Sequence, residues 1–168
     1  LSPNSCVIEN EKPRFASVSE ILRVSTQNTL ALLKKELEIA LSELNEKWNW
    51  ISLERIFIKE GVYKRMEKCT TDEQIDDTIL KGLQPFVKNL IREITLDDVH
   101  RLRKIPIDRI SKYNSDRADD TLIAIKDDIA AVQHDLDNLI DYAIAYFERI
   151  KSKFGKNRER KTEIRSFD

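Results

Sequence analysis

Hydrophobic residues recur every three or four positions through the first third of the chain and again through its last third. The first stripe consists of Leu30, Leu33, Leu37, Leu41, Leu44, Trp48 and Ile51. This spacing places its members on one face of an α-helix. Ser17 and Glu20 form a capping box, with a hydroxyl and a carboxylate three positions apart. The pattern predicts a helix from about residue 18 to the high forties.

The second stripe alternates spacings of four and three without a slip. Its members are Ala118, Leu122, Ile125, Ile129, Val132, Leu136, Leu139, Ala143, Tyr146 and Ile150. A sustained period of 3.5 residues keeps one seam facing a partner helix in a left-handed supercoil. Asn114 or Ser115 is placed to cap the start of this helix, and Gly155 to close its end. We therefore predict one uninterrupted helix here.

The segment between the two stripes has a different pattern. Helix breakers occur at Gly61, Gly82, Pro85 and Pro106. Thr71 followed by Gln74, and Thr95 followed by Asp98, mark helix starts. The aromatic residues of this segment are Trp48, Trp50, Phe57, Tyr63, Phe86 and Tyr113. The sequence predicts a compact head of three to five short helices around an aromatic core.

The first residues predict a small β-hairpin. Two short apolar segments, 6–8 and 14–15, flank residues 9–13, which have turn chemistry. Because two strands are at best marginally stable alone in water, we expect the hairpin to belong to a larger sheet. The chain also opens on Leu1 rather than Met, so we expect it to be a fragment of a longer protein.

Packing the two seams against each other gives the predicted fold. It is all-α: a long antiparallel two-helix coiled coil with a small helical head and a short N-terminal β-hairpin. The predicted parts are the hairpin (1–16), the ascending helix (17–47), the head (48–114), the returning helix (115–155) and a basic tail (156–168). The predicted seam residues are Leu30, Leu33, Leu37, Leu44, Leu122, Ile125, Ile129, Val132, Leu136 and Leu139.

Composition excludes several classes of protein. With three glycines in 168 residues, the chain has no glycine-rich phosphate loop. Its apolar runs are far shorter than the roughly 20 residues that span a bilayer, and no signal peptide pattern is present. Cys6 and Cys69 are far apart and have no metal-ligand spacing, so we expect reduced thiols and a cytoplasmic protein.

Candidate catalytic residues are few. His100 and His134 have no second histidine or cysteine at ligand spacing, and Cys69 has no imidazole nearby in sequence to activate it. The aspartate pairs, such as those at 119–120 and 127–128, fall on polar helix faces. The sequence therefore predicts no catalytic residue and no metal site in this chain.

Charge is unevenly distributed, although the net charge is −1. The segment 151–165 carries Lys151, Lys153, Lys156, Arg158, Arg160, Lys161 and Arg165 against Glu159 and Glu163. Such a segment is able to contact phosphate backbones, although helix-end complementarity and solubility explain it equally well. The candidate DNA contacts are Lys156, Arg158, Arg160 and Lys161.

The order of these parts resembles the A subunit of bacterial type IIA DNA topoisomerases, gyrase and topoisomerase IV. The similarity extends over essentially the whole chain. Its most specific parts are the Phe154-Gly155-Lys156 turn, the tail sequence 160–164, and the segment 98–111 before the returning helix. Segments 33–39 and 52–58 resemble the topoisomerase IV branch in particular.

The resemblance implies the end of the tower, the coiled coil and the exit gate, or C-gate, of that protein. This region holds the dimer together and releases the transported duplex during ATP-dependent strand passage. The implied partners are a second copy through the head, giving a homodimer, together with double-stranded DNA and the ATPase B subunit, with no membrane. Magnesium and ATP belong to the full holoenzyme and not to this fragment. The DNA-linked tyrosine lies upstream, so no catalytic residue carries over.

The predicted dimer interface is an apolar patch before the returning helix, formed by Val99, Leu102, Ile105, Ile107 and Ile110. The alternative is that these residues form the internal core of the head. For the function, the alternative is a non-enzymatic coiled-coil adaptor or scaffold protein. An enzyme with its own site in the head would need converging polar groups, and the sequence offers none.

Overall fold

The computed structural model describes residues 5–9, 11–156 and 158. The chain is helical with a two-stranded antiparallel sheet near its N-terminus, which confirms the predicted fold class. The strands are β1 (Cys6–Glu9) and β2 (Lys12–Phe15). The α-helices of the described residues are α1 (Val18–Lys59), α2 (Val62–Met66), α3 (Asp72–Leu83), α4 (Leu96–Arg103), α5 (Ile107–Ser111), α6 (Ser115–Asp137) and α7 (Leu139–Phe154), and a 3-10 helix, Gln84–Asn89, follows α3.

The chain divides into two compact units. The hairpin unit consists of Leu1–Glu38 and His134–Asp168, and the head unit consists of Ile39–Gln133. Helices α1 and α6 contribute residues to both units. The domain boundaries predicted from the sequence lie at other positions than the boundaries of these two units, and they remain a prediction.

The hairpin forms as predicted, with longer strands. Cys6 pairs with Phe15 and Glu9 pairs with Lys12, so Pro13 lies in β2 rather than in the turn. Glu11 has a φ of 63°, which is the left-handed conformation that tight turns require. Arg14 Nη1 lies 2.8 Å from Glu9 Oε2, which links the two strands through their side chains.

Helix α1 starts at the predicted capping box and ends later than predicted. The Ser17 N–H donates to Glu20 Oε2 at 2.8 Å, and the Glu20 N–H donates to Ser17 Oγ at 3.3 Å. The helix then continues through the high forties to Lys59. Because neither Gly nor Pro occurs between Ser17 and Gly61, nothing in the sequence interrupts the helix. Gly61 itself has a φ of 63°.

In the hairpin unit, α1 and α7 line a common groove, and both contribute buried residues. Leu33 and Leu37 of α1 are buried, and so is Ala143 of α7. Leu30 of α1 and Leu136 and Leu139 on the returning side are half-buried. Tyr142 and Tyr146 line the groove beside Leu33.

The returning helix is not continuous, and the predicted uninterrupted helix is wrong at one residue. Asn138 has φ −113° and ψ 42°, outside the helical region, and separates α6 from α7. Its side-chain Nδ2 donates to the His134 carbonyl at 2.9 Å, the same oxygen that accepts the Asn138 backbone N–H at 3.0 Å. Asparagine side chains compete in this way with helical backbone hydrogen bonds. The apolar seam continues across the break because Asn138 is off the seam.

The head unit has a mainly aliphatic core, so the predicted aromatic core is wrong. Phe57 is the fully buried aromatic residue among the described core residues, and Trp50, Tyr63 and Phe86 are partly buried at its edge. Aromatic rings with polar atoms commonly lie at such edges, where those atoms reach water. The core consists of Leu53, Ile56, Phe57, Val62, Ile79, Leu83, Val99 and Leu102.

Close packing between α2 and α3 depends on Gly82. A Cβ atom at this position would lie 2.8 Å from Val62 Cγ1, closer than carbon atoms approach in folded proteins. Val62 and Gly82 are both buried. The two helices therefore approach each other because position 82 has no side chain.

Candidate interface of the head unit

One face of α1 holds the later helices of the head through three arginines. Glu46, Trp50 and Glu54 are spaced four residues apart and so lie on one side of the helix. Arg92 contacts Glu46, Arg101 stacks on Trp50, and Arg109 contacts Glu54. We call this set the arginine stripe.

Arg92 makes the densest contacts of the stripe. Its Nε and Nη2 donate to the two carboxylate oxygens of Glu46 at 2.7 and 2.8 Å. Its Nη1 donates to Asp98 Oδ2 at 2.6 Å. Asp98 also accepts from the Thr95 N–H at 3.0 Å, which completes the predicted capping box of α4. The Arg92 guanidinium therefore joins the start of α4 to α1.

These contacts shift the pKa values of the carboxylates. The hydrogen bond from Arg92 holds the pKa of Glu46 below its usual range. Burial of Asp98 acts to raise its pKa, but the hydrogen bonds from Arg92 and Thr95 outweigh that, and the pKa of Asp98 is lowered. Both carboxylates favour the ionised form in the folded head.

The other two arginines fix α4 and α5. The Arg101 guanidinium lies 3.9 Å from the centre of the Trp50 ring, a cation–π distance. Arg109 Nε lies 2.6 Å from Glu54 Oε1, and Glu54 is only 5% exposed. In addition, Arg55 of α1 pairs with Asp119 of α6. Every helix from α4 to α6 is thus tied to α1 by a charged side chain.

Polar residues also join α3 to α4, which the sequence analysis did not find. His100 Nε2 lies 3.2 Å from Asp76 Oδ2, and Arg103 Nη1 lies 3.3 Å from Asp72 and 3.5 Å from Asp76. The signal in the sequence is the i,i+4 spacing of two aspartates and the i,i+3 spacing of two basic residues. This cluster is an ion-pair network on the surface, and it explains the environment of His100.

The predicted interface residues occupy different environments. Val99 and Leu102 have no exposed surface and belong to the core of the head, as the internal-core alternative describes. Ile105 and Ile110 are partly buried and pack against that core. Ile107 is 81% exposed. Of the five residues, Ile107 therefore offers the largest apolar surface to a partner.

Two further exposed apolar residues lie on the head. Leu96 is 62% exposed at the first position of α4, and Ile91 is 51% exposed in the segment that leads to it. Ile91 lies outside any helix, so helical periodicity gives no signal for it. Leu96 is in the first turn of α4, where no preceding turn covers a side chain. Ile39 of α1 and Ile123 of α6 are exposed as well. We call Ile91, Leu96 and Ile107, which lie between the 3-10 helix and α6, the exposed apolar residues of the head.

A groove of about 670 Å³ lies between α1, α5 and the start of α6. Glu54, Arg109, Tyr113 and Arg117 contribute to its lining. Burial, with the nearby Glu54 carboxylate, raises the pKa of Tyr113 to about 12. The Tyr113 hydroxyl has no hydrogen-bond partner among the described residues. At neutral pH this tyrosine is therefore protonated, and it contributes packing to the groove wall.

The ten predicted seam residues are all buried or half-buried. Leu33, Leu37 and Ile125 are buried, with 4%, 6% and 2% exposure, and the other seven are intermediate. Cys69 is half-buried, with its Sγ 3.3 Å from Thr78 Oγ1. His134 is exposed and lies beside Asp135.

The candidate DNA contacts are only partly within the described residues. Lys156 and Arg158 are exposed. Arg160 and Lys161 lie outside the residues that the structure describes. Across residues 5–9, 11–156 and 158, no group of three or more His, Cys, Asp or Glu side chains is arranged to hold a metal ion. No helix of that part of the chain is both long and apolar enough to cross a membrane.

The chain matches known proteins over nearly its whole length. Residues 1–148 match the family model of the A subunit of DNA gyrase/topoisomerase IV. The chain is 26% identical over 164 residues to the A subunit of DNA topoisomerase 4 from Borreliella burgdorferi. That alignment covers 98% of this chain and 26% of the relative, so the chain spans about a quarter of the relative's length. On the family match, the chain belongs to the A-subunit family of DNA gyrase and topoisomerase IV.

Proposed function

We propose that this chain is the coiled-coil and exit-gate region of the A subunit of a type IIA DNA topoisomerase. In this proposal two copies join through their head units. The transported duplex leaves the enzyme when the two heads separate. Membership of the A-subunit family supports the assignment to that enzyme, and the apolar seams of the paired helices support the coiled coil.

The observation that carries the gate assignment is the contrast between the inside and the outside of the head. Inside, an aliphatic core and the arginine stripe fix α4 and α5 on α1. Outside, Ile91, Leu96 and Ile107 remain exposed. A gate needs a body that keeps its own shape while its contact with the partner breaks and re-forms. A modest apolar surface on a firmly packed head meets that requirement.

The chemistry of strand passage is assigned to other parts of the holoenzyme. The resemblance implies that DNA cleavage uses a tyrosine upstream of these residues and that ATP and magnesium act outside this segment. In the proposal this chain holds the dimer together while the DNA is broken. Its own side chains bind the partner copy and do not react.

The dimer is tested by sedimentation equilibrium of the 168-residue chain. We expect a dimer for the unmodified chain and a monomer for the double variant Leu96→Asp, Ile107→Asp, because two charges would be desolvated at the contact. Leu102 is unsuitable for this test, since an aspartate at a fully buried position would unfold the head.

Ile123→Asp is the matched control. Ile123 is 61% exposed on α6, in the same unit, but it lies outside the segment 91–107 that carries the proposed contact. The control is expected to remain a dimer. A monomeric unmodified chain, or a double variant that stays dimeric with an unchanged circular dichroism spectrum, would refute the head-to-head gate.

A further inference from the structure

The C-terminal end of α7 and the residues just after it concentrate positive charge between Glu148 and Glu159. Positions 149–158 contain five basic residues and no carboxylate. All five are exposed, and none forms an ion pair with a described residue. We call these residues the basic end of α7: Arg149, Lys151, Lys153, Lys156 and Arg158.

The helix dipole accounts for only part of this charge. Cations are favourable in the last turn of a helix, and Lys151 and Lys153 are in that turn. The effect falls off within one turn, so it does not explain Arg149, Lys156 or Arg158. Arg149 and Lys153 are also four residues apart, and like charges at that spacing destabilise a helix. The sequence therefore retains a repulsive arrangement.

The side chains at this end are held beside aromatic rings. Arg149 and Lys153 line a groove of about 410 Å³ together with Tyr142, Tyr146 and Phe154 and with one carboxylate, Glu36 of α1. The Arg149 guanidinium lies 6.0 Å from the centre of the Tyr146 ring, and Lys153 Nζ lies 5.3 Å from the centre of the Phe154 ring. Contacts of this kind restrict long side chains and direct their charges along one side of the helix.

The length of the basic end matches a run of phosphates. Seven residues separate Arg149 from Lys156, which is roughly 10 Å at 1.5 Å per residue. Successive phosphates of one DNA strand are about 3.4 Å apart along the duplex axis, so this distance corresponds to about three phosphate steps. A linear polyanion is thus a better match than a single small anion.

We propose that the basic end of α7 binds the phosphate backbone of duplex DNA. This inference rests on the proposed function, which supplies duplex DNA as the polyanion that the enzyme handles. The contact is independent of base sequence, because phosphates carry none. It would hold DNA at the hairpin unit, and it requires no contribution from the exposed apolar residues of the head.

The test is the salt dependence of binding to a labelled duplex of about 20 base pairs, measured by fluorescence anisotropy from about 50 to about 200 mM salt. Each phosphate contact adds about 0.9 to the negative slope of log Kobs against log salt. The variant Arg149→Gln, Lys153→Gln, Lys156→Gln is expected to lower that slope by about 2.7, which is three contacts. The charge-conserving variant Arg149→Lys, Lys153→Arg, Lys156→Arg is expected to retain it.

The matched control removes three exposed lysines of the head unit: Lys59→Gln, Lys68→Gln, Lys88→Gln. For this control, the slope of log Kobs against log salt is expected to equal that of the unmodified chain. The proposal is overturned if the unmodified chain does not bind the duplex, if the α7 variant keeps the full slope, or if the control loses as much. Sedimentation equilibrium on the same samples reports the dimer separately, so failure of the DNA contact and failure of the gate are distinguishable.

Discussion

At the residue scale, Asn49 is the least expected feature of the head. It is 1% exposed in the middle of α1, and neither atom of its amide has a hydrogen-bond partner among the described residues. An unpaired buried amide lowers the free energy of unfolding, and asparagine is also a poor helix former. Leu53, a neighbouring core residue, has no polar side-chain atom and therefore does not lower the free energy of unfolding in this way. Asn49 is therefore a position where the head is less stable than its packing allows.

The substitution Asn49→Leu is expected to stabilise the chain. Leucine keeps the branch at Cγ and removes two unpaired polar atoms, which should raise the free energy of unfolding by about 1–2 kcal/mol. For a chain of this size that corresponds to a rise in Tm of about 2–6 °C. The change in Tm is measured by thermal unfolding, with circular dichroism as the signal.

Asn45→Leu serves as the comparison, since Asn45 is half-buried one turn earlier on the same face of α1. A smaller rise in Tm is expected there. If Asn49→Leu lowers the Tm while Asn45→Leu does not, the amide of Asn49 has a stabilising role in solution, and the interpretation of an unpaired group is wrong.

At the scale of elements, the sequence identifies helix starts better than helix continuity. The hydroxyl residues Ser17, Thr71 and Thr95 are each followed three positions later by Glu, Gln or Asp, which is a local signal, and each caps a helix as predicted. The break at Asn138 has no such signal, because the apolar period passes through it unchanged. The arginine stripe was not predicted either, since its partners are far apart in sequence and no local pattern links them.

The seam residues and the predicted interface residues show a limit of prediction from sequence: periodicity identifies an apolar helix face but not what packs against it. Positions of the seam follow from periodicity alone, and all ten are at least half-buried. For Val99 and Leu102, periodicity indicates an apolar face but does not tell whether the face packs inside one chain or against another. Only the packing of α4 on α1 and α3 separates these cases.

The break between α6 and α7 is expected to depend on the Asn138 side chain. Asn138→Ala removes the donor to the His134 carbonyl and improves helix propensity by about 0.7 kcal/mol. We expect helical ¹³Cα chemical shifts at position 138 and a rise in Tm of about 1–3 °C. Asn28→Ala, at an exposed position within continuous α1, provides the reference for propensity alone. Non-helical shifts that persist in the Asn138 variant would assign the break to packing instead.

At the scale of the whole molecule, the Arg92 contacts connect the stability of the head to pH. Arg92→Met leaves the buried Asp98 carboxylate without its cation. We expect a loss of about 2–3 kcal/mol at pH 7, below the full value for a buried pair because Glu46 is half-exposed. Arg65→Met, at an exposed position of α2, is the control and should change the free energy of unfolding little.

The sign of the pH dependence follows from the lowered pKa values of Glu46 and Asp98. Their stabilisation is present above the unfolded carboxyl pKa of about 4 and is lost as the pH falls through the lower folded values. The difference between the unmodified chain and Arg92→Met should therefore shrink below about pH 4 in urea unfolding. A constant difference down to about pH 2 would contradict this assignment.

The arginine stripe also sets the order in which the head is able to assemble. Arg92 lies 46 residues after Glu46 in the chain, and Arg109 lies 55 residues after Glu54. Because proteins are synthesised at about 5–20 residues per second, Glu46 leaves the ribosome about 2–9 s before Arg92. Helix α1 forms in about a microsecond, so during those seconds its acidic and aromatic side chains have no partners. The arginine stripe is completed only when Arg109 emerges, and until then the nascent chain is more vulnerable to aggregation and proteolysis.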